Sequence, residues 1–257
     1  MISSLFNTIL YQPFYNGLIF LISIIPSGDV GVAVIILTIA VKLGLFSLSY
    51  RSIISQQRLK ELGPELERIK TQFKNDKQRQ ATETMALYRR EGVNPLSTIL
   101  SLFLQIPVVL ALYFVFVRAG LPEINQTLLY DFLAEPGVIS LSLLGLIDIS
   151  KKSVILAVLA GGTQYLQARL IAPQTPPGEP QGGERSLKDE LARSLQLQMK
   201  YVFPALIGFF AYNFGGAVAL YFATSNAFAI GQELYVKRAR ERNNGATTRQ
   251  QAVSSKQ

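Results

Sequence analysis

Residues 30–50 read VGVAVIILTIAVKLGLFSLSY, between Asp29 and Arg51, and this stretch decides the class of fold. It is apolar over a length that crosses a bilayer as one helix, and a single charge, Lys42, lies within it. A run of this length is a transmembrane segment before it is anything else.

Four similar stretches follow. One covers 94–117: it starts at Asn94-Pro95, where proline suits a helix start, and ends before Arg118. The next covers 153–171, between Lys151-Lys152 and a proline-rich segment. A pair at 199–214 and 216–235 meets at Gly215-Gly216, which leaves room only for a tight turn. The expected fold is an all-α membrane protein with five transmembrane helices around a hydrophilic groove and a cytoplasmic helical hairpin. Composition agrees: the 257 residues are 49% hydrophobic and 16% charged, against about 25% charged in soluble domains. Mean hydropathy is +0.27.

Basic residues set the orientation. Ten of the 25 Lys and Arg lie in 51–93, three in 172–198 and six after Tyr235, whereas the opposite side holds only Arg118, Lys151 and Lys152. The excess marks the cytoplasmic side, so the N-terminus is expected outside and the C-terminus in the cytoplasm. Residues 118–152 then form an outer loop. Within 1–29, Leu5 to Ile25 is apolar but interrupted by Asn7, Gln12, Pro13 and Asn16, with no basic n-region for a signal peptide. A helix lying flat on the outer surface is the preferred reading, and a sixth span is the alternative.

Three segments lie on the cytoplasmic side. In 51–93, Leu59, Leu62, Leu66, Ile69 and Phe73 form one helical stripe, Asn75-Asp76 a turn, and Ala81, Met85 and Tyr88 a returning stripe. This hairpin is either a solvated strut or a mobile docking arm for substrates and partners. Residues 172–198, rich in proline and glycine, read as a flexible linker, and 236–257 as a basic tail. The tail serves as a positive-inside anchor, with ribosomal RNA contact as an alternative that charge alone does not establish.

Lys42 carries the chemistry. Nine residues before Arg51, it sits about 13 Å from the end of an unbroken helix, where an unpaired lysine costs about 2.5–3.5 kcal/mol. Snorkelling would require a fully stretched side chain, and no carboxylate is expected within a span to pair with it. A water-filled cavity open to the cytoplasm accounts for it better. Thr38, one turn earlier on the same face, and Gln105, Gln164, Gln167, Ser225 and Asn226 are polar groups that could line such a cavity. Taken singly, each is more often a helix–helix hydrogen bond. The fourth span, at sixteen residues, covers about 24 Å and favours local bilayer thinning.

The absence of Cys and His removes thiolate and histidine catalysis and the usual zinc and haem sites. There is no Gly-rich phosphate loop followed by Lys-Ser or Lys-Thr. No cofactor or metal is expected, and the chain does not read as an enzyme: Lys42 has no serine one turn away on its own helix for Ser–Lys chemistry. A secondary transporter or channel is the rival, lacking here its usual intramembrane carboxylates and inverted repeats.

Several motifs, in order and spacing, resemble the YidC/Oxa family of membrane insertases over nearly the whole chain. They are Thr38-Ile39-Ala40-Val41-Lys42, Met85-Ala86-Leu87-Tyr88 with Gly92-Val93-Asn94-Pro95-Leu96, Gln105-Ile106-Pro107 with Ala111-Leu112-Tyr113, and Leu220-Tyr221-Phe222 with Ser225-Asn226. The resemblance implies five helices around a groove open to the cytoplasm and lipid but closed outside, preceded by an amphipathic outer helix. It adds Tyr221 and Phe222 to the groove. Lys42 stands where the family usually has arginine, which keeps the charge but loses the planar five-donor fork, and Phe222 stands where a larger aromatic is common. The chain resembles the short bacterial form without a large outer domain, in the cell membrane. Implied partners are nascent membrane proteins and the lipid bilayer, with the ribosome and the Sec translocon as further candidates.

Overall fold

Asp29 starts the first long helix of the bundle: extended itself, it accepts the Val32 N–H on Oδ1 at 2.8 Å and satisfies one of the orphan donors of the first turn. The architecture is that of a computed structural model, described for residues 5–94, 96–118, 121–171, 194 and 197–254, the side chains of 96–104, 117–118, 171 and 243–254 excepted. It is mostly helical. A π-helical turn (Asn7–Tyr11) leads into α1 (Gln12–Ile24), then α2 (Val30–Gly44) and α3 (Phe46–Glu61), with α4 (Gly63–Gln72) and α5 (Lys77–Arg90) completing the first half. Helix α6 (Leu96–Arg118) is followed by a loop holding the small antiparallel pair β1 (Ser142–Leu143) and β2 (Ile147–Asp148). Helix α7 (Val154–Ile171), a second π turn (Gln198–Val202), α8 (Phe203–Phe214) and α9 (Gly216–Ser254) complete the chain. The 172–198 linker lies outside the described residues except at 194, 197 and 198.

The stretch 30–50 is not one straight helix. It breaks at Leu45, and α3 leaves α2 at 67°. Gly44 weakens the last turn, and Leu45 sits near ψ 0° (φ −89°, ψ 5°), the bridge conformation in which a helical ladder is interrupted. Among the described residues no single helix is both long and apolar enough to cross a membrane, while the bent pair α2–α3 is, by length and composition.

The dry core gathers at the end of the bundle that faces the 121–152 loop. Tyr15, Leu18, Ile19 and Ile22 of α1 meet Val30, Ala33 and Val34 of α2, Ala111 and Val115 of α6, Ala160 of α7, Ala211 of α8 and Ala219 of α9. Helix α9 packs along α7 and α2, and α8 against α7. The loop is stitched onto this end. Val30 N–H donates to Ser140 O at 3.0 Å, and Leu144 N–H to Asp29 Oδ2 at 2.6 Å. The first two free N–H groups of α9, those of Gly216 and Ala217, reach Lys151 O (2.8 Å) and Ile149 O (2.9 Å), so a helix start with no side-chain cap is satisfied by loop carbonyls.

The opposite end carries the hairpin. Leu62, Leu87 and Val93 are buried together, with Leu59, Leu66, Ile69 and Tyr88 against them. The returning stripe is rotated from the expected one: Met85 is half exposed and Leu87 takes the inner position. Phe73 lies apart from the cluster beneath the Arg79 guanidinium, 5.4 Å from its ring centre. Asp76 caps α5 through the Arg79 N–H at 2.9 Å. Gly92 (φ 61°) ends it: the Gly92 N–H reaches Arg89 O and the Val93 N–H reaches Tyr88 O. That paired 5→2 and 6→1 bonding is a Schellman stop, and Val93 closing on Leu87 is its usual apolar contact.

Candidate functional site

Three helices bring polar groups together at the hairpin-facing edge of the core, which Tyr221 itself helps to form. Lys42 lies on the last turn of α2, Gln105 on α6, and Tyr221 and Ser225 four residues apart on one face of α9. The Lys42 Nζ donates to Gln105 Oε1 at 3.1 Å. The Gln105 Nε2 donates to the Tyr221 hydroxyl at 2.5 Å and reaches Ser225 Oγ at 3.3 Å. Tyr221 and Ser225 are 1% and 2% exposed, so the amide is held from the α9 side by groups with little freedom to move. Lysine carries three N–H donors. Among the described residues no carboxylate forms an ion pair with Lys42, which leaves it a positive charge with donors to spare for an incoming acceptor.

The other candidate residues are placed differently. Thr38 is buried and turns its Oγ1 back to Val34 O at 2.7 Å, a bond within its own helix. Asn226 faces α7, its Nδ2 reaching Thr163 Oγ1 at 3.3 Å and Ala160 O at 3.4 Å. Gln164 and Gln167 are half-buried on α7 and make no bond to the cluster. Phe222 packs edge-on to Tyr221, with ring centres 5.6 Å apart.

Two expectations need correction. The depth given to Lys42 assumed a straight helix to Arg51, but Lys42 lies only three residues, about 4.5 Å, before the break at Leu45. Depth therefore no longer disfavours snorkelling, and the inward bond to Gln105 takes over as the reason to place the ammonium within the bundle. The spans were also expected to be free of carboxylates, but Glu233 lies within 216–235 and is 9% exposed.

Glu233 belongs to a second polar network that sequence reasoning missed, at the base of the hairpin. Gln57 Nε2 donates to Glu233 Oε1 at 3.2 Å, while Arg240 donates to Gln57 Oε1 at 3.3 Å and to Glu61 Oε2 at 3.0 Å. Lys60 Nζ donates to Leu170 O at 2.6 Å, in the last turn of α7, where free carbonyls favour a cation. Burial pushes the Lys60 ammonium below its ordinary pKa, against the pull of Glu233 and with the help of Lys237. The only sequence signal for this network was the density of charge on both segments.

Asn16 was also misread. Taken as an interruption of an apolar run, it is 2% exposed and clamps the loop: Nδ2 donates to Leu128 O at 2.7 Å and Oδ1 accepts the Tyr130 N–H at 2.7 Å. Tyr15 accepts the Asn125 N–H on its hydroxyl at 2.8 Å beside it.

A family model described as "60Kd inner membrane protein" matches residues 21–244, from the end of α1 through both polar networks. The chain belongs to the YidC/Oxa family. Among similar YidC/Oxa proteins, the membrane protein insertase YidC of Clostridium tetani is 30% identical over 217 residues, 84% of this chain and 86% of that protein. The membrane protein insertase YidC of Oceanobacillus iheyensis is 30% identical over 240 residues, 91% and 84% of the two chains. The one from Alcanivorax borkumensis is 32% identical over 211 residues, but the match covers only 31% of its length against 82% of this chain. The YidC/Oxa match makes this a membrane protein, and the Lys42 cluster falls within the matched region.

Proposed function

We propose that this chain inserts other proteins into the bilayer by solvating their short polar tails at Lys42. Five segments span: 30–50, which is α2 with the start of α3, then α6, α7, the π turn with α8, and the first twenty or so residues of α9. The hairpin, linker and basic tail face the cytoplasm, as the distribution of Lys and Arg favours. Helix α1 lies across the outer end, a reading supported by its attachments. Gln12 and Asn16 near its start bond Leu128 and Tyr130, while Gly28 and Asp29 just past its end bond Ser140 and Leu144. Many large apolar side chains are exposed on the bundle, among them Val154, Ile155, Val158 and Leu159 of α7 and Phe209 and Phe210 of α8, as faces towards lipid require.

The observation that carries the mechanism is the hydrogen-bonded Lys42–Gln105–Tyr221 chain on the hairpin side of a dry core. A tail entering from the cytoplasm meets a cation with free donors, then a thin apolar layer that closes the outer end. The attached hydrophobic segment passes into lipid, and its burial at about 25 cal/mol per Å² drives the step. No nucleotide is consumed. The substrates are nascent membrane proteins, with the ribosome and Sec translocon as candidate partners through the basic tail and hairpin.

The test is reconstitution of the purified chain in nucleotide-free liposomes with a single-span substrate bearing a short acidic N-terminal tail. Protection of that tail from external protease, dependent on the protein, is expected. Protection no greater than in empty liposomes, across several such substrates, would return the chain to the transporter reading, for which buried Glu233 would be the first group to examine.

A further inference from the structure

A groove of about 570 Å³ runs between α7 and α8, away from the Lys42 cluster. Its walls include Ala157, Tyr165, Ala205, Phe209 and Tyr212, and its floor is where the two helices touch. A Cβ on Gly161 would lie 3.3 Å from Pro204 O and 3.4 Å from Gly208 Cα, so the floor admits nothing further. Tyr165 and Tyr201 close the hairpin-side end, with ring centres 5.9 Å apart. At the other end Lys152 stands over Tyr212, its Nζ 5.4 Å from the ring centre, and donates to Asn213 Oδ1 at 3.2 Å.

We propose that this groove holds one acyl chain of an anionic glycerophospholipid, with its phosphate on Lys152. Shape selects the chain. From Val154 to Tyr165 the groove is about 16 Å long, which leaves a mean cross-section near half the ~80 Å² of a helix 10 Å across. That width suits a single hydrocarbon chain, which supplies the dispersion contacts that an open apolar wall lacks. Charge selects the headgroup. Lys151 is paired with Asp148 at 2.9 Å, and Asp148 is further held by Ser150, whereas Lys152 has no carboxylate partner among the described residues. One unpaired cation therefore stands at the mouth, beside a tyrosine of the kind that settles at headgroup level. The site lies in the leaflet at the loop end of the bundle. It depends on membrane residence and not on insertion.

The test uses the full chain in phosphatidylethanolamine vesicles with a trace of phosphatidylglycerol or phosphatidylcholine, each carrying the same photoreactive acyl chain. Labelled peptides are then mapped by mass spectrometry. Peptides covering 154–165 and 201–212 should take about five-fold more label from phosphatidylglycerol, the factor one basic contact supplies. Lys152→Glu should abolish that preference and Lys152→Arg should keep it; both act at an exposed side chain. Ala205→Phe, at an exposed wall position, should remove groove labelling by either lipid. Equal labelling by the two lipids, unchanged in Lys152→Glu, would overturn the site and leave bulk lipid wetting the groove. Absence of label from both peptides in the unmodified chain would overturn it as well. Neither outcome bears on insertion, which is read separately by protease protection.

Discussion

Lys42 and Gln105, 63 residues apart in sequence, are joined by a 3.1 Å hydrogen bond from ammonium to amide oxygen, and the same amide is fixed from behind by Tyr221. A neutral acceptor holds the lysine without cancelling its charge. Gln105→Glu keeps the shape but supplies a carboxylate, so Lys42 becomes half of an ion pair and its charge is no longer available to a substrate. Insertion of acidic tails should fall about ten-fold, the effect of some 1.4 kcal/mol, with no loss of thermal stability. Unchanged insertion in Gln105→Glu would mean that the charge of Lys42 plays no part.

Asn16 ties α1 to the loop through two bonds to backbone groups of Leu128 and Tyr130. Asn16→Leu leaves the Tyr130 N–H without a partner near a dry core, and the Leu128 carbonyl with only the longer Gln12 bond at 3.3 Å, costing about 1–3 kcal/mol for the unsatisfied N–H. Thermal unfolding should shift down by that amount, and limited proteolysis should open first at 121–130. A variant as stable as the parent would show that water replaces the clamp.

The start of α9 tolerates no side chain. A Cβ on Gly216 would stand 2.8 Å from Ile149 Cα and 3.0 Å from Ile149 O. Both are backbone atoms, and the latter already accepts the Ala217 N–H. Gly216→Ala should cost about 1–3 kcal/mol through displaced backbone, seen as lower stability in denaturant. Gly231→Ala, with nothing within 4 Å of its Cβ, is the control and should be neutral or slightly stabilising.

The hairpin base should respond to pH. Because burial lowers the Lys60 pKa from 10.5, in the alkaline range below 10.5 the unfolded chain holds more protons than the folded one. Stability should therefore gain from Lys60 as pH rises through that window. The slope of the unfolding midpoint with pH should flatten in Lys60→Met. An identical slope in the two proteins would show that Lys60 is not desolvated.

The helices were legible in sequence because apolar periodicity and length are local, and so were the Gly215-Gly216 turn and the Asp76 start of α5. The bend at Leu45 was not: it follows from where α3 finds partners in α6 and α9, and nothing in residues 43–47 compels it beyond Gly44. At the site, the polar residues were identifiable because they stand in apolar runs, but their pairing was not. Thr38 and Lys42 share a helical face, yet only Lys42 enters the cluster, since a threonine hydroxyl reaches its own helix carbonyl before it reaches a neighbour. Asn16 and Glu233 were missed for a related reason. Each looks like a flaw in an apolar segment until the partner, more than a hundred residues away in sequence, is placed beside it.

The most direct test of the central claim is reciprocal charge exchange between groove and tail. Purified chain and Lys42→Glu are each reconstituted in nucleotide-free liposomes and offered one single-span substrate with either an acidic or a basic N-terminal tail, with protease protection as the readout. If Lys42 solvates the passing tail, the parent protects acidic tails better, and Lys42→Glu reverses the order. If both proteins protect the two tails in the same ratio, the charge at position 42 does not meet the substrate, and the account of the cluster is wrong.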